Sequence, residues 1–497
     1  MQSDRQHSVG HVKEPADTIA ILDQGSVAGR RTAQGFVFRG VPYAGHVSGR
    51  ARFTPSRSCE RSGGSSNAHE RGVIAPQQRS RLGDVMGEIN ATQGEDCLIL
   101  TIWTPNLSTP DRPVVIWFHG GAYVSGAGDL DWYSGELLSA RGDIVVVNVN
   151  HRLGVLGYLA DPERPCSLAI EDQRLAIDWV RRNISAFGGD ADSITLMGQS
   201  AGAISIAHLI QDTETARLIK RIILHSGGFG RAPLQPERAA EVRGVFLKIL
   251  SEGENLKDET AILESASVER ILSAQADTMA HFGGDLVFRP LSTESQTRAE
   301  FISATATAAA HSGISVMIGV TSEEGRAFTP VQSPTMAEVK RTLDKTGGEG
   351  AFEAYRSNFP AMSETDLQLS FMTDFIYRSG NLALAREISR LNGECYFYSF
   401  DWGAPASQYG ACHCIELPFV FGTFDAWHDA GMLRGGVPSE MESLSSEVQG
   451  NWISFIRHGK PAESLWSKFE GSDPVLRRFD AGKQEVVPAY ISDPGGN

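Results

Sequence analysis

Long apolar runs, dense basic clusters and a cysteine framework are all missing from this chain. No 18 consecutive residues are apolar, which excludes an ordinary transmembrane helix. Six cysteines in 497 residues (59, 97, 166, 395, 412 and 414) are too few and too scattered for a disulfide scaffold. Lysine and arginine total 45 against 60 acidic residues, a formal net charge of −15. Neutralising a phosphate backbone takes clustered cations, so nucleic acid is excluded as a partner, and the acidity favours solubility. The opening, MQSDRQHSVGHVKEPADTIA, lacks an apolar core followed by a small-residue cleavage site. A cytoplasmic location is expected, unless a leader has been trimmed. Nothing in the pattern speaks to oligomeric state.

What is present is an ordinary globular composition, 41% hydrophobic and 21% charged. The first sixteen residues read as a polar tail, and 17–60 as short strands with turn signals; a Gly/Ser-rich loop is expected at 61–72. From about residue 98, buried strands alternate with helices. PVVIWF (113–118) and DIVVVNVN (143–150) are unbroken apolar or β-branched runs, as strands covered on both faces should be. AIEDQRLAIDWVRRNISAF (169–187) carries an amphipathic helical pattern. SITLMG and RIILHSGG then read as strands, 235–310 as mostly helix, and SATATAAAHSG as a helix end plus linker. ISVMIGV (314–320) and ECYFYSFDW (394–402) are later strands, and EVQGNWISFIRHG is a late helix. This alternation predicts an α/β protein with one mostly parallel sheet, helices on both faces and a single domain.

The stretch SITLMGQSAGAISIAHLI (193–210) sets a Gly-x-Ser-x-Gly turn between a strand and an apolar helix. A sharp strand-to-helix turn exposes a serine but leaves no room for side chains beside it, which suits Gly198, Ala201 and Gly202. The helix behind it also turns its positive N-terminal end toward Ser200. A serine capping a glycine-bounded helix fits the same residues, so these five alone leave both readings open.

IWFHGGAYVSG (116–126) tips the balance toward a nucleophile, because a buried strand runs straight into free, closely approachable backbone N–H groups. Such a loop supplies half of an oxyanion hole in strand–elbow–helix hydrolases, here through Gly121 and Ala122, with Ala201 donating from the elbow. His119 is tied to that loop and reads as structural. In such hydrolases the acid and then the base follow the serine along the chain. ISVMIGVTSEEG ends a buried run at Glu324, with Glu323 its near competitor. His413, in YGACHCIELPFVFG, is the base expected from a late loop, ahead of His208, His225, His281 and His311. Cys412 and Cys414 flank it with spacing too tight for a usual metal site, so no metal is expected.

These segments together resemble the type B carboxylesterases, the cholinesterase–carboxylesterase family of the α/β-hydrolase fold, in its bacterial or fungal members. The likeness runs from about Gly35 past Ile456, through FRGVPYA, RARF, GEDCLILTIWTP, HGGAY, NHRLGVLGYL, GQSAG, HSGG, GVTSEEG and CHCIELPFVFG in family order. The resemblance implies one α/β-hydrolase domain over 17–497, helical insertions over the active site and a small N-terminal β-sheet. It implies a catalytic Ser200, Glu324 and His413, and oxyanion donors at Gly121, Ala122 and Ala201. Arg52 with Glu95, and Arg152 with Asp172, match structural ion pairs, and Ser226 matches a serine supporting the triad. Gln199 stands where the family usually carries Glu, which weakens any choline-ester reading. Ala75 stands where secreted relatives pair a cysteine with the equivalent of Cys97. VFRPLSTES lacks the usual Asp-Gly after its proline.

The implied activity is hydrolysis of small-molecule carboxylic esters by water, through an acyl-enzyme and without cofactor, nucleic acid or membrane. The same triad also serves carbamates, amides or thioesters, and a non-catalytic binding domain is the rival of another class. Tyr123, Trp132, Phe282 and Phe288 are candidate pocket aromatics that fit a core role better. The pocket walls are expected from 270–310 and 325–380.

Overall fold

Strand-forming residues recur along almost the whole chain and, among the described residues, assemble into one 13-stranded sheet. The computed structural model describes residues 18–59, 64–161, 167–252, 258–292, 294–328, 334–462, 466–471, 474–480 and 483–488. The predicted tail, 1–16, and Cys166 lie outside the described residues. The strands are β1 (Thr18–Leu22), β2 (Gly25–Arg31), β3 (Phe36–Pro42), β4 (Ser65–Asn67), β5 (Ile99–Thr104), β6 (Arg112–Phe118) and β7 (Val145–Val149). They continue with β8 (Gly189–Gln199), β9 (Ile219–His225), β10 (Ser315–Thr321), β11 (Cys395–Phe400), β12 (Val475–Asp480) and β13 (Lys483–Pro488).

Their spatial order is β1-β2-β3-β5-β7-β6-β8-β9-β10-β11-β12-β13, with β4 beside β2. The central block from β7 to β12 is parallel, and the margins β1-β2-β3-β5-β7 and β12-β13 are antiparallel. The sheet is therefore mixed. The small N-terminal sheet expected from the sequence is continuous with it, because Arg30 and Arg31 of β2 pair with Val37 and Phe36 of β3.

The unbroken apolar runs have a direct cause. Val114, Ile116 and Phe118 of β6 pack into one core layer, and Val115 and Trp117 into the layer on the opposite face. Both faces of the strand are dry, so neither parity of the sequence has to be polar. The amphipathic segment forms the helix Leu168–Asn183, and the late segment forms Pro438–His458. The Ala-rich piece read as helix end plus linker belongs instead to a continuous helix, Arg298–His311, opened by a Thr297–Glu300 capping box. Part of the predicted Gly/Ser loop is strand β4, held by parallel pairing of Ser65–Asn67 with Ser26–Ala28.

At β6 the order of connection reverses, since β7 lies on one side of it and β8 on the other. The carboxyl ends of β6 and β8, paired at Phe118 and Gly198, thus open a crevice at the switch point where α/β sheets place their sites.

Two ion pairs brace this end of the fold. Arg52 donates to both carboxylate oxygens of Glu95, and to the carbonyls of Leu263 and Ala266. Arg152 forks onto Asp172 at 2.6 and 2.8 Å and also donates to the carbonyls of Arg52 and Thr54. Both members of the second pair are buried. Asp172→Asn would strand a buried guanidinium, and we expect a loss of about 3–5 kcal/mol in chemical denaturation. Asp172→Leu combined with Arg152→Met should cost less than the single change, because no charge is left unpaired.

Candidate active site

The elbow follows from local sterics. Ser200 sits between β8 and the helix Ala201–Gln211 with φ +54° and ψ −115°, a backbone conformation that L-residues rarely hold. Its N–H donates to the carbonyl of His225, which fixes the turn against β9. A Cβ on Gly202 would fall 2.1 Å from the Phe118 carbonyl, and one on Gly198 would fall 2.7 Å from Gly202, so both flanking glycines are obligatory.

The loop after β6 is strained as well, with φ of +116° at Gly121, +54° at Ala122 and +66° at Tyr123. Its turn closes by bonds from the Val124 and Ser125 N–H groups to the Gly121 carbonyl. Among the described residues, no group accepts from the N–H of Gly121, Ala122 or Ala201. Three backbone donors therefore remain available beside Ser200, all on the wall of one cavity.

Glu324 follows β10 and is fully buried. One carboxylate oxygen accepts the Thr321 N–H at 2.8 Å, and the other meets His413 Nδ1 at 2.5 Å. Its competitor Glu323 is half-exposed, paired with Arg326 and bonded by the Ala411 N–H, and does not face the histidine. Tyr377 and Phe328 pack on the His413 ring, with centroids 4.7 and 5.5 Å away. Tyr377 lies in a π-helical turn, Thr373–Arg378.

The other imidazole nitrogen, Nε2, lies 3.1 Å from Gln199 Nε2, one residue from Ser200. An amide N–H donates here, so Nε2 accepts and the ring proton sits on Nδ1, toward Glu324. Gln199 also donates to Cys414 Sγ at 3.2 Å. Burial raises the thiols of Cys412 and Cys414 well above their ordinary value, so both are neutral small side chains around the histidine loop. A carboxylate in place of the Gln199 amide would favour protonated imidazole. Gln199→Glu should therefore lower kcat/KM on a neutral ester most at the acidic end of the pH range, measured beside wild type.

The remaining predicted residues sort cleanly. His119 bonds the Gly120 carbonyl and stacks on His151, and burial lowers it to about 4. His208 lines the cavity but is likewise lowered to about 4 by burial. His225 is buried between Tyr398 and Trp452. Ser226 is buried; its N–H goes to the Gly319 carbonyl, and its hydroxyl has no hydrogen-bond partner among the described residues. Cys97 and Cys59 are free thiols.

The cavity of about 600 Å³ contains Ser200 and His413. Tyr123 and Trp132 line it, whereas Phe282 and Phe288 do not. Its walls come from 283–290, 301, 328 and 371–377, as expected, but also from 80–89 and 228–233, which the sequence did not flag. Among the described residues no helix is long and apolar enough to cross a membrane.

Residues 16–488 match the carboxylesterase family. The chain belongs to that family. Its class is that of the carboxylic ester hydrolases. This carboxylesterase-family chain is 32% identical over 455 residues to the para-nitrobenzyl esterase of Bacillus subtilis (strain 168), covering 89% of the chain and 90% of that relative. It is 33% identical over 460 residues to a phenmedipham hydrolase of Pseudarthrobacter oxydans, covering 89% and 90%. Among solved structures, a thermophilic PNB esterase superposes with a TM-score of 0.84 at 28% identity, over 96% of this chain and 98% of that one. A Geobacillus stearothermophilus carboxylesterase gives 0.82 at 28%, over 96% and 99%. The α/β-hydrolase fold and the carboxylesterase assignment expected from the sequence therefore stand.

Proposed function

We propose that this carboxylesterase is a serine hydrolase acting through Ser200, His413 and Glu324 with a covalent acyl-enzyme. The observation that carries the reading is the Glu324–His413 contact at 2.5 Å, with the serine on its strained elbow in the same cavity. Residues 17–497 would act as one hydrolase domain, a reading supported by the single sheet that runs from Thr18 to Pro488.

In the reaction the Ser200 hydroxyl takes the Nε2 lone pair of His413 in place of the Gln199 amide. Oγ attacks the ester carbonyl as His413 accepts the proton, and Glu324 stabilises the imidazolium while holding its orientation. Charge develops on the former carbonyl oxygen and is met by the N–H groups of Gly121, Ala122 and Ala201, where one lost donor typically costs about 3–4 kcal/mol. His413 returns the proton to the leaving alcohol. It then draws a proton from water, which attacks the acyl-Ser200 and frees the acid. Side chains and backbone N–H groups handle every proton and charge in this cycle.

The test is rapid-mix hydrolysis of p-nitrophenyl acetate through octanoate. The reading predicts turnover and, where deacylation is the slow step, a p-nitrophenol burst approaching one equivalent per chain. A folded protein that hydrolyses no member of the series and takes no organophosphonate would instead fit the non-catalytic binding domain.

A further inference from the structure

Among the described residues, the cavity that holds Ser200 is lined by three arginines, Arg81, Arg231 and Arg289, and they share one nearby carboxylate, Asp285. This is a local cationic excess in a chain of net charge −15. The other acidic residue on the wall, Glu338, caps its own helix through Thr335. Arg231 reaches Asp285 at 3.2 Å, while Arg289 stands 3.8 Å from the same oxygen. Arg289 is largely buried, with 18% of its side-chain surface exposed. It donates to the Leu286 carbonyl, and its buried Nε has no hydrogen-bond partner among the described residues. Burial, with the like charges of Arg231 and Arg238, holds the Arg289 guanidinium below its ordinary value against the pull of Asp285.

A guanidinium carries five donors in a fork that matches a carboxylate, and a buried one left without a counter-charge is costly. The cluster shares its cavity wall with Ser200 and His413. The charges of Arg231 and Arg289 both act on the phenol of Tyr123, the residue that follows the oxyanion donors Gly121 and Ala122. Arg231 acts in addition on Tyr377, whose ring covers His413.

We infer that the preferred substrates are esters that carry a carboxylate elsewhere in the molecule, received by Arg289 and Arg231 while the ester carbonyl lies at Ser200. This rests on the serine-hydrolase reading above and adds the substrate class to it. Hydrolysis proceeds through the same steps, and the carboxylate takes no part in bond making. It supplies orientation, and its charge adds to the one carboxylate, Asp285, that Arg289 shares with Arg231.

The test compares matched esters on the full-length protein, with active sites counted by organophosphonate titration. On the acyl side, mono-p-nitrophenyl adipate and suberate are set against p-nitrophenyl hexanoate and octanoate. On the alcohol side, 3- and 4-acetoxybenzoate are set against the corresponding acetoxybenzamides. The readout is the ratio of kcat/KM for the anionic ester over that for its neutral counterpart. Wild type should favour the anion roughly 10-fold or more in one of the two arms, and that arm tells which side of the ester bears the charge. Arg289→Gln and Arg231→Gln should each lower the ratio about 10-fold, mainly through KM, with Arg289→Lys retaining part of it. Asp285→Asn, at a half-exposed site, should raise it several-fold by removing the competing carboxylate. A ratio at or below one in both arms, or one unchanged across the glutamine variants, would overturn the inference even if neutral esters are turned over. Absence of all turnover and of labelling would instead strike the serine-hydrolase reading.

Discussion

Ser200→Ala should lower kcat on p-nitrophenyl esters by roughly 10⁴- to 10⁶-fold and change KM only a few-fold. On the proposed mechanism the variant loses the atom that would form the acyl bond, yet it keeps the three backbone N–H groups and the cavity. The elbow should survive, because alanine holds the same φ of +54° that serine does, and the Ser200 N–H bond to the His225 carbonyl involves no side chain. Residual hydrolysis then measures what the oxyanion donors and binding achieve without a nucleophile. Steady-state kinetics beside a thermal melt check both halves of this expectation. Unchanged kcat would remove Ser200 from the reaction.

Glu324→Gln should cost about 10³- to 10⁴-fold in kcat, with little change in KM. The size of the effect follows from how the side chain is held. One Glu324 oxygen accepts the Thr321 N–H at 2.8 Å, so a glutamine would keep its carbonyl there and turn its NH₂ toward His413 Nδ1. Nδ1 would then accept, the ring proton would move to Nε2, and the imidazole would face Ser200 without a lone pair. The carboxylate charge that stabilises imidazolium is lost in the same step. Glu324→Asp should recover part of the rate by restoring the charge on a shorter side chain. A Glu323→Gln change, at the half-exposed carboxylate that pairs with Arg326, should cost far less.

The catalytic end of the fold was legible because its constraints are local. Short runs dominated by apolar and β-branched residues suit strands dry on both faces, and residues 114–118 of β6, β7 with its single Asn148, and residues 194–197 of β8 are such runs. Gly198 and Gly202 are required by contacts within a few residues of Ser200 or at the adjacent β6 end, so the elbow shows in sequence. Chain order and position after strands singled out Glu324 and His413, which the structure brings into contact at 2.5 Å.

The C-terminal strands were not legible. VLRRFD, strand β12, shows no regular alternation of charged and apolar residues, and its Arg477 is fully buried against Glu447 and Phe479, on the same face as the buried Phe479. The start of β8 at Gly189 was also hidden, since Gly-Asp-Ala-Asp has the composition of a turn and is strand only because Arg112 pairs with Gly189. The cavity lining was beyond reach for a different reason. Arg81, Arg231 and Arg289 come from three loops far apart in sequence, and Tyr377 reaches His413 from a π-helical turn. Each is a common polar or aromatic residue until tertiary packing brings it to the site.

The most direct measurement is intact mass and peptide mapping after treatment with a fluorophosphonate, alongside loss of p-nitrophenyl ester hydrolysis. The account predicts one adduct per chain, on the peptide that contains Ser200, with activity falling in step with labelling and no adduct in Ser200→Ala. An adduct on another residue, or full activity after stoichiometric modification of Ser200, would contradict it.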